Sequence, residues 1–431
     1  MVKYNNKSLI GFFPLTFNLA ETGRAILVAK RYIELGGNII FFSHGGTYEH
    51  LISDFGFKFV RVNPIFTDEL VKHIVSVNRL EKKGFPYSES FINEAVREEV
   101  RAFKKTNIKM IISYHNLISC ISAKVAKIPL IFISPGPGKF YLDIPDNYKN
   151  LLTCFIPKKI TIPLFNYIFN HSTAFLKPFN VVAKKYGIKK FQSTIEVVHG
   201  DINLATNFFE FINVFPNQQA LPKKNYIGII LLEELFSDKF SKKDQNHIEK
   251  KILKFQNKNK KTILLTMGSS GDKKLFLKII NKLNKQNFKT IVVYTNILNQ
   301  DELPKVEEKI LFLKFVPSIK RLHRIVDLSI IHGGQGTVYS AAYSGKPIIG
   351  IAMNPEQHLN LEKMVGHKTG LMISKKYFNE KMLVKALNTI FSNYDYYLKN
   401  AQKLKNILPE PKGDSNAAKR LMEIIKEYQV Q

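Results

Sequence analysis

Twice in 431 residues an apolar run ends in His-Gly-Gly and gives way to a helical pattern. Residues 38–42 lead into Ser43-His44-Gly45-Gly46-Thr47, and residues 327–331 lead into His332-Gly333-Gly334-Gln335-Gly336-Thr337. A strand that turns through glycine into a helix, and does so again in the second half of the chain, points to a parallel α/β plan with helices on both faces of each sheet. The pattern around these anchors agrees. Strands are expected at 8–13, 38–42, 58–62, 110–113, 129–134, 203–206 and 226–228. In the second half they are expected at 261–266, 290–294, 310–315, 327–331 and 347–351. Helical spacing falls between them at 23–35, 88–104, 117–126, 273–286 and 338–343. Residues 237–261 read as a polar surface helix of the linker, and 414–422 as a final helix capped by Asp414 or Ser415. The fold class is therefore α/β, with two Rossmann-like, doubly wound halves, the loops at the strand ends of the first forming one wall of a cleft. The length suits two cores. The divisions are 1–225, 226–410 and a terminal helix at 411–431.

Charge enters because it restricts partners. Lys and Arg number 64 against 35 Asp and Glu, a formal net charge of +29. Such an excess suits nucleic acid, an anionic membrane face or an acidic substrate, or reflects lysine spent as solvated surface. Two cysteines, Cys120 and Cys154, form neither a disulfide framework nor a metal spacing, so a reducing, cytoplasmic setting is expected. The apolar start is interrupted by Gly11 and Pro14 and lacks a small-residue cleavage site; it reads as a first strand rather than a signal peptide. No apolar run approaches the roughly 18 residues of a membrane span.

Chemistry concentrates in the second glycine turn. The opening N–H groups of a helix lack intrahelical partners and carry the positive end of its dipole, and glycine lets a phosphate oxygen approach them. His332, Gly333, Gly334, Gln335, Gly336 and Thr337 thus read as an anion cradle with an imidazole at its rim. The following strand ends in Glu356 and Gln357, a carboxylate and an amide suited to holding hydroxyl groups. A phosphate cradle followed by a hydroxyl-reading pair points to a nucleotide-sugar.

In order and spacing, His332-Gly-Gly-x-Gly-Thr337, Gly345-x-Pro347, Glu356-Gln357 and Asn360 resemble the donor signature of the UDP-glycosyltransferase superfamily, whose fold is GT-B. The resemblance implies a glycosyltransferase that uses a UDP-sugar or TDP-sugar as co-substrate and needs no other cofactor and no metal. It implies diphosphate contacts from Gly268, Ser269 and Ser270, backbone pairing of the base beside Val316, and a terminal helix that returns to the first domain. One departure is Ser340, which stands where many relatives place a ribose-gripping glutamate. A larger one concerns the base that deprotonates the acceptor in inverting transfer. Relatives commonly use a histidine after the first strand, oriented by an aspartate after a later one; here those places hold Glu21 and His115 or Asn116. Three readings stay open. Glu21 is the base, or His115 is the base with Glu21 orienting it, or neither acts and ordinary alcohols are not accepted. His44 is a further candidate.

Residues 148–195 contain eight lysines interleaved with aromatic and aliphatic residues and no Asp or Glu. They read as helices with a basic outer face or as a surface that rests on anionic lipid. The expectation that joins these features is an inverting, metal-independent hexosyltransferase that acts on a hydroxyl of a lipid or other hydrophobic acceptor, in the cytoplasm or at the membrane's inner face. The alternatives are a nucleotide-sugar epimerase of the same fold, or a basic nucleic-acid-binding protein, for which the sequence carries no recognised binding motif.

Overall fold

The structure, a computed structural model, describes residues 8–79, 81–136, 141–149, 153, 155–173, 176–212, 221–236, 242–256, 259–268, 271–294, 297–316 and 318–429. Two six-stranded sheets organise them. The first contains β1 (Leu9–Pro14), β2 (Asn38–Ser43), β3 (Phe59–Arg61), β4 (Ile111–Tyr114), β5 (Leu130–Ser134) and β6 (Ile202–Ala205), in the order β3-β2-β1-β4-β5-β6. The second contains β7 (Thr262–Thr266), β8 (Lys289–Val293), β9 (Ile310–Leu313), β10 (Leu328–Ile331), β11 (Ile348–Gly350) and β12 (Gly370–Met372), in the order β12-β11-β10-β7-β8-β9. Every pairing between these strands is parallel. Renumbered from its own first strand, the second sheet repeats the order of the first. In each, the order reverses beside the first strand, between β1 and β4 and between β7 and β10. Such a reversal opens a crevice at the carboxyl ends of the strands, where ligands bind in open α/β sheets.

The strands form where the sequence is apolar without alternation, as in Phe12-Phe13, Ile111-Ile112 and Leu264-Leu265, because both faces of each sheet are covered. These six residues are all fully buried. The helices used below are α1 (Leu19–Glu34), α2 (Glu89–Thr106), α3 (Lys158–His171), α4 (Lys273–Asn284), α5 (Gln335–Ser344), α6 (Pro355–Gly366) and α7 (Gly413–Gln429). Asn18 starts α1 by accepting the Ala20 N–H, and Ser88 starts α2 by accepting that of Phe91. Such side-chain caps satisfy donors the helix itself leaves open.

At the other end of the chain, α7 packs on α1. Ala417, Ala418, Leu421, Met422, Ile424 and Ile425 join the core built on one face of the first sheet. Arg31 Nε donates to Asp414 Oδ2 at 2.7 Å. The polar linker helix spans Lys242–Phe255. Residues 226–228 are not a strand: Tyr226 makes only an isolated parallel bridge to Ala205, because Gly228 adopts a φ of 84° that leaves the extended region. Among the described residues no helix is long and apolar enough to cross a membrane.

Candidate active site

At the reversal of the first sheet, the chain leaves β1 and enters α1, which carries Glu21 in its first turn. It leaves β4 directly into His115. His115 has a φ of 60°, the left-handed region that a residue with a side chain enters only when its surroundings compel it. Two contacts do so: an antiparallel bridge to Pro14 and a hydrogen bond from Ser113 Oγ to the Asn116 carbonyl, 3.0 Å. The result brings His115 Nδ1 to 3.4 Å from Glu21 Oε2, an ion-pair distance. Arg24 Nη1 lies 3.4 Å from the other oxygen of Glu21.

Burial disfavours charge on both partners, but each stabilises the charged form of the other. The His115 pKa ends above its ordinary value, raised by Glu21 and, from the second half of the chain, by Glu356. Burial also works to raise that of Glu21, yet His115 and Arg24 hold it below the usual carboxylate range.

At the reversal of the second sheet, β7 leads to Gly268 and β10 to His332. The two loops touch: a Cβ on Gly268, whose φ is 54°, would lie 2.9 Å from the His332 ring. His332 is 5% exposed, and among the described residues its buried Nδ1 has no hydrogen-bond partner. Burial lowers its pKa to about 4, so the imidazole is neutral at physiological pH. Gly333 has a φ of 92°, and a Cβ there would approach the Gln357 carbonyl oxygen to 2.6 Å. Helix α5 then starts at Gly334 with no side-chain cap, and beside Gly336 there is open space. Thr337, partly exposed, completes that turn. Uncapped N–H groups over open space, beside a buried ring nitrogen with no partner, can receive an anion.

Not every residue of the signature faces this space. Gln335, expected in the cradle, instead ties the two halves of the chain together. Its Nε2 donates to the Thr206 carbonyl at 2.7 Å, and its Oε1 faces Thr206 Oγ1 at 3.2 Å, so both ends of the amide are turned to Thr206. Gln357 Oε1 accepts the Met353 N–H at 2.9 Å, committing one end of the amide to its own loop. Glu356 is exposed in the first turn of α6. Asn360 Nδ2 lies 3.1 Å from the Gly333 carbonyl and 3.3 Å from Glu356 Oε1, which couples cradle and carboxylate. Val316, 8% exposed, follows β9. Ser340 is 2% exposed. Ser269 and Ser270 lie outside the described residues. His44 is 1% exposed, with ring nitrogens committed to Glu99 and to the carbonyls of Val62 and Pro64. Among the described residues no group of His, Cys, Asp and Glu is arranged to hold a metal ion.

Three contributors escaped sequence reasoning. Arg24 flanks Glu21. Glu362 on α6 accepts the backbone N–H groups of Leu142 and Asp143, at 3.2 and 2.7 Å, across the two halves. Glu99 anchors Asn116. Glu99 had a legible signal: it shares a helical face with Ile92, Ala95, Val96 and Phe103, all buried, and a carboxylate on an apolar stripe calls for a buried partner.

Residues 262–421 match the family model of the Glycosyltransferase family 28 C-terminal domain. With the two parallel sheets, this defines the class: a GT-B α/β fold whose C-terminal half is similar to that family's domain. The particular likenesses are distant. A UDP-N-acetylglucosamine--N-acetylmuramyl-(pentapeptide) pyrophosphoryl-undecaprenol N-acetylglucosamine transferase of Clostridium botulinum is 27% identical over 183 residues, 40% of this chain and 48% of the relative. Among solved structures, the calicheamicin glycosyltransferase CalG4 superposes with a TM-score of 0.67 at 11% identity, covering 98% of this chain and 99% of that one. The glycosyltransferase VinC, solved in complex with dTDP, gives 0.58 at 14% identity, covering 98% and 100%. The matched stretches span 30% to 48% of the length of the curated relatives.

Proposed function

We propose that the protein is an inverting glycosyltransferase that moves a hexose from a UDP-sugar or TDP-sugar to a hydroxyl group of a lipid or other hydrophobic acceptor. The observation that carries the reading is the convergence of two built sites at the two sheet reversals. One is a histidine–carboxylate pair; the other is an uncapped helix start beside a neutral imidazole whose Nδ1 lacks a partner. In this reading the diphosphate binds at the start of α5, where N–H groups and His332 stabilise the charge that develops as the anomeric C–O bond breaks. With Nδ1 of His115 turned to Glu21, Nε2 takes the acceptor's proton while the acceptor oxygen attacks the opposite face of the anomeric carbon. Glu356 stands beside the sugar and His115. The names of the relatives support both nucleotides, since one is a UDP-N-acetylglucosamine transferase and another was solved with dTDP.

The lipid part rests on α3. Its inner face places Phe165 and Phe169 against Tyr141 and Tyr148, next to the loop that Glu362 clasps. Its outer face leaves Ile160, Leu164, Tyr167 and Ile168 exposed, continued by Ile156 and by Phe155 at 82% exposure. A contiguous apolar stripe in water marks a surface that meets something apolar. Exposed Lys159, Lys177, Lys184, Lys185, Lys189 and Lys190 lie in the same stretch and suit an anionic bilayer. Lys149 and Lys158 contribute less, because Asp143 and Asp146 pair with them.

The test of the donor reading is a thermal-shift titration with UDP and TDP. At about a hundred times its dissociation constant a ligand of the folded state adds about 2.7 kcal/mol of stability. Stabilisation by neither nucleotide refutes it.

A further inference from the structure

Behind the His115–Glu21 pair lies a second buried cluster that the reaction above does not use. Glu99, on the buried face of α2 and fully inaccessible, presents one carboxylate oxygen, Oε1, to two groups. His44 Nε2 is 2.9 Å away, and Asn116 Nδ2 donates at 3.1 Å. The orientation of the Asn116 amide follows from its other end, where Oδ1 accepts the Ile118 N–H at 3.3 Å. His44 Nδ1 stands 3.0 Å from the carbonyl oxygens of both Val62 and Pro64. Carbonyls only accept, so Nδ1 carries a hydrogen, and Nε2 and Glu99 Oε1 hold one proton between them. Phe13 and Phe66 enclose the imidazole at 5.1 and 5.4 Å. Among the described residues the other oxygen of Glu99 is buried with no hydrogen-bond partner, a cost the fold carries to keep a carboxylate at this place.

Asn116 is the residue that follows His115, and His115 is the one held at positive φ. We infer that Glu99, fixed by His44, is a positioning residue: through Asn116 it holds the loop after β4 so that the His115 ring meets Glu21. Without that anchor only the Pro14 bridge and the Ser113 hydrogen bond are left to hold the φ of 60° at His115, and the ring gains freedom to move from its carboxylate. The charged groups that face His115 are Glu21, Glu356 and Arg24. Glu99 reaches the loop through its hydrogen bonds to Asn116 and His44, so its influence on His115 is geometric.

This inference rests on the reading of His115 as the base, and the experiment separates the two. Variants Glu99→Gln and Asn116→Ala are compared with wild type and with His115→Ala. One measurement is the NMR titration of 15N-histidine-labelled protein, with the His115 signal assigned by its loss in His115→Ala. The other is hydrolysis of UDP-glucose to UDP and glucose. Positioning predicts that the His115 titration midpoint falls toward about 6.5 in both variants. It also predicts that kcat drops about 10²-fold with KM for UDP-glucose nearly unchanged. An unmoved midpoint and unchanged kcat in Asn116→Ala, which keeps the His44–Glu99 pair, overturn the positioning role even if Glu99→Gln fails to fold. Full hydrolysis by His115→Ala refutes the base reading instead, and the titration then still decides whether Glu99 places that ring.

Discussion

At the residue scale, protonation separates the two histidines of the cleft. His115 is pushed up by its carboxylates, so its neutral fraction grows as pH rises through a midpoint above the usual histidine value. The acid limb of the kcat/KM profile is expected there, and in Glu21→Gln the same limb moves to lower pH because the stabilising charge is gone. Glu21→Gln and His115→Ala each lower turnover about 10²–10⁴-fold while UDP binding, followed by calorimetry, changes little, and the double variant is scarcely worse than either. Losses that multiply would assign the two residues independent roles. His332, at about 4, stays neutral through the physiological range. His332→Ala is expected to cost roughly 1.5–3 kcal/mol of UDP affinity, with no change in that cost between pH 6 and 8. A cost that grows as pH falls across that interval would require a charged imidazole and contradict the burial that keeps it neutral.

At the element scale, the informative pieces are the helix starts and α3. An uncapped α5 and a capped α4, where Asp272 accepts the Leu275 N–H at 2.9 Å, differ in what they can bind: the second has a carboxylate of its own at the helix start, which takes one open donor and repels an anion. The α3 stripe was visible in the sequence as aromatic and aliphatic residues among lysines. Which side chains stayed in water was not, because Phe165 and Phe169 pack inward at the same spacing that leaves Leu164 and Ile168 outside. Leu164→Glu together with Ile168→Glu is expected to reduce pelleting with anionic vesicles several-fold at low ionic strength while leaving the melting temperature nearly unchanged, since both positions are exposed. Equal pelleting of wild type with neutral and anionic vesicles would reduce the stripe to bare surface.

At the scale of the whole molecule, the two halves are joined by polar clasps and by the chain's own end. Gln335 reaches Thr206, Tyr339 Oη donates to Asn207 Oδ1 at 2.9 Å, and Glu362 holds Leu142 and Asp143. Helix α7, which follows the second half in sequence, completes the core of the first. Removing residues 413–431 takes four large buried apolar side chains, Leu421, Met422, Ile424 and Ile425, from that core, each worth about 1.5–3 kcal/mol when fully buried. The loss is comparable to the roughly 5–15 kcal/mol that stabilises a typical domain. The truncated chain is therefore expected to lose its cooperative thermal transition by circular dichroism; a wild-type transition would mean that α7 is a mere appendage.

Local sequence determined the parallel α/β plan, most strand positions and the glycine turn that starts α5, because backbone period, burial on both sheet faces and helix-start chemistry are all written within a few neighbouring residues. It also brought forward Glu21 and His115 as candidates, since each follows a strand that had to end near there. What it left open was whether the two meet. That depends on β1 and β4 being neighbours in space while about a hundred residues apart in sequence, and on His115 being forced to positive φ. The same holds for Gln335, whose amide looked free for a ligand until Thr206 arrived from the other half, and for Glu99, whose oxygen is shared between loops from two different strands. Contacts of this kind arise only after the sheets have formed and the halves have closed, so tertiary structure alone decided them.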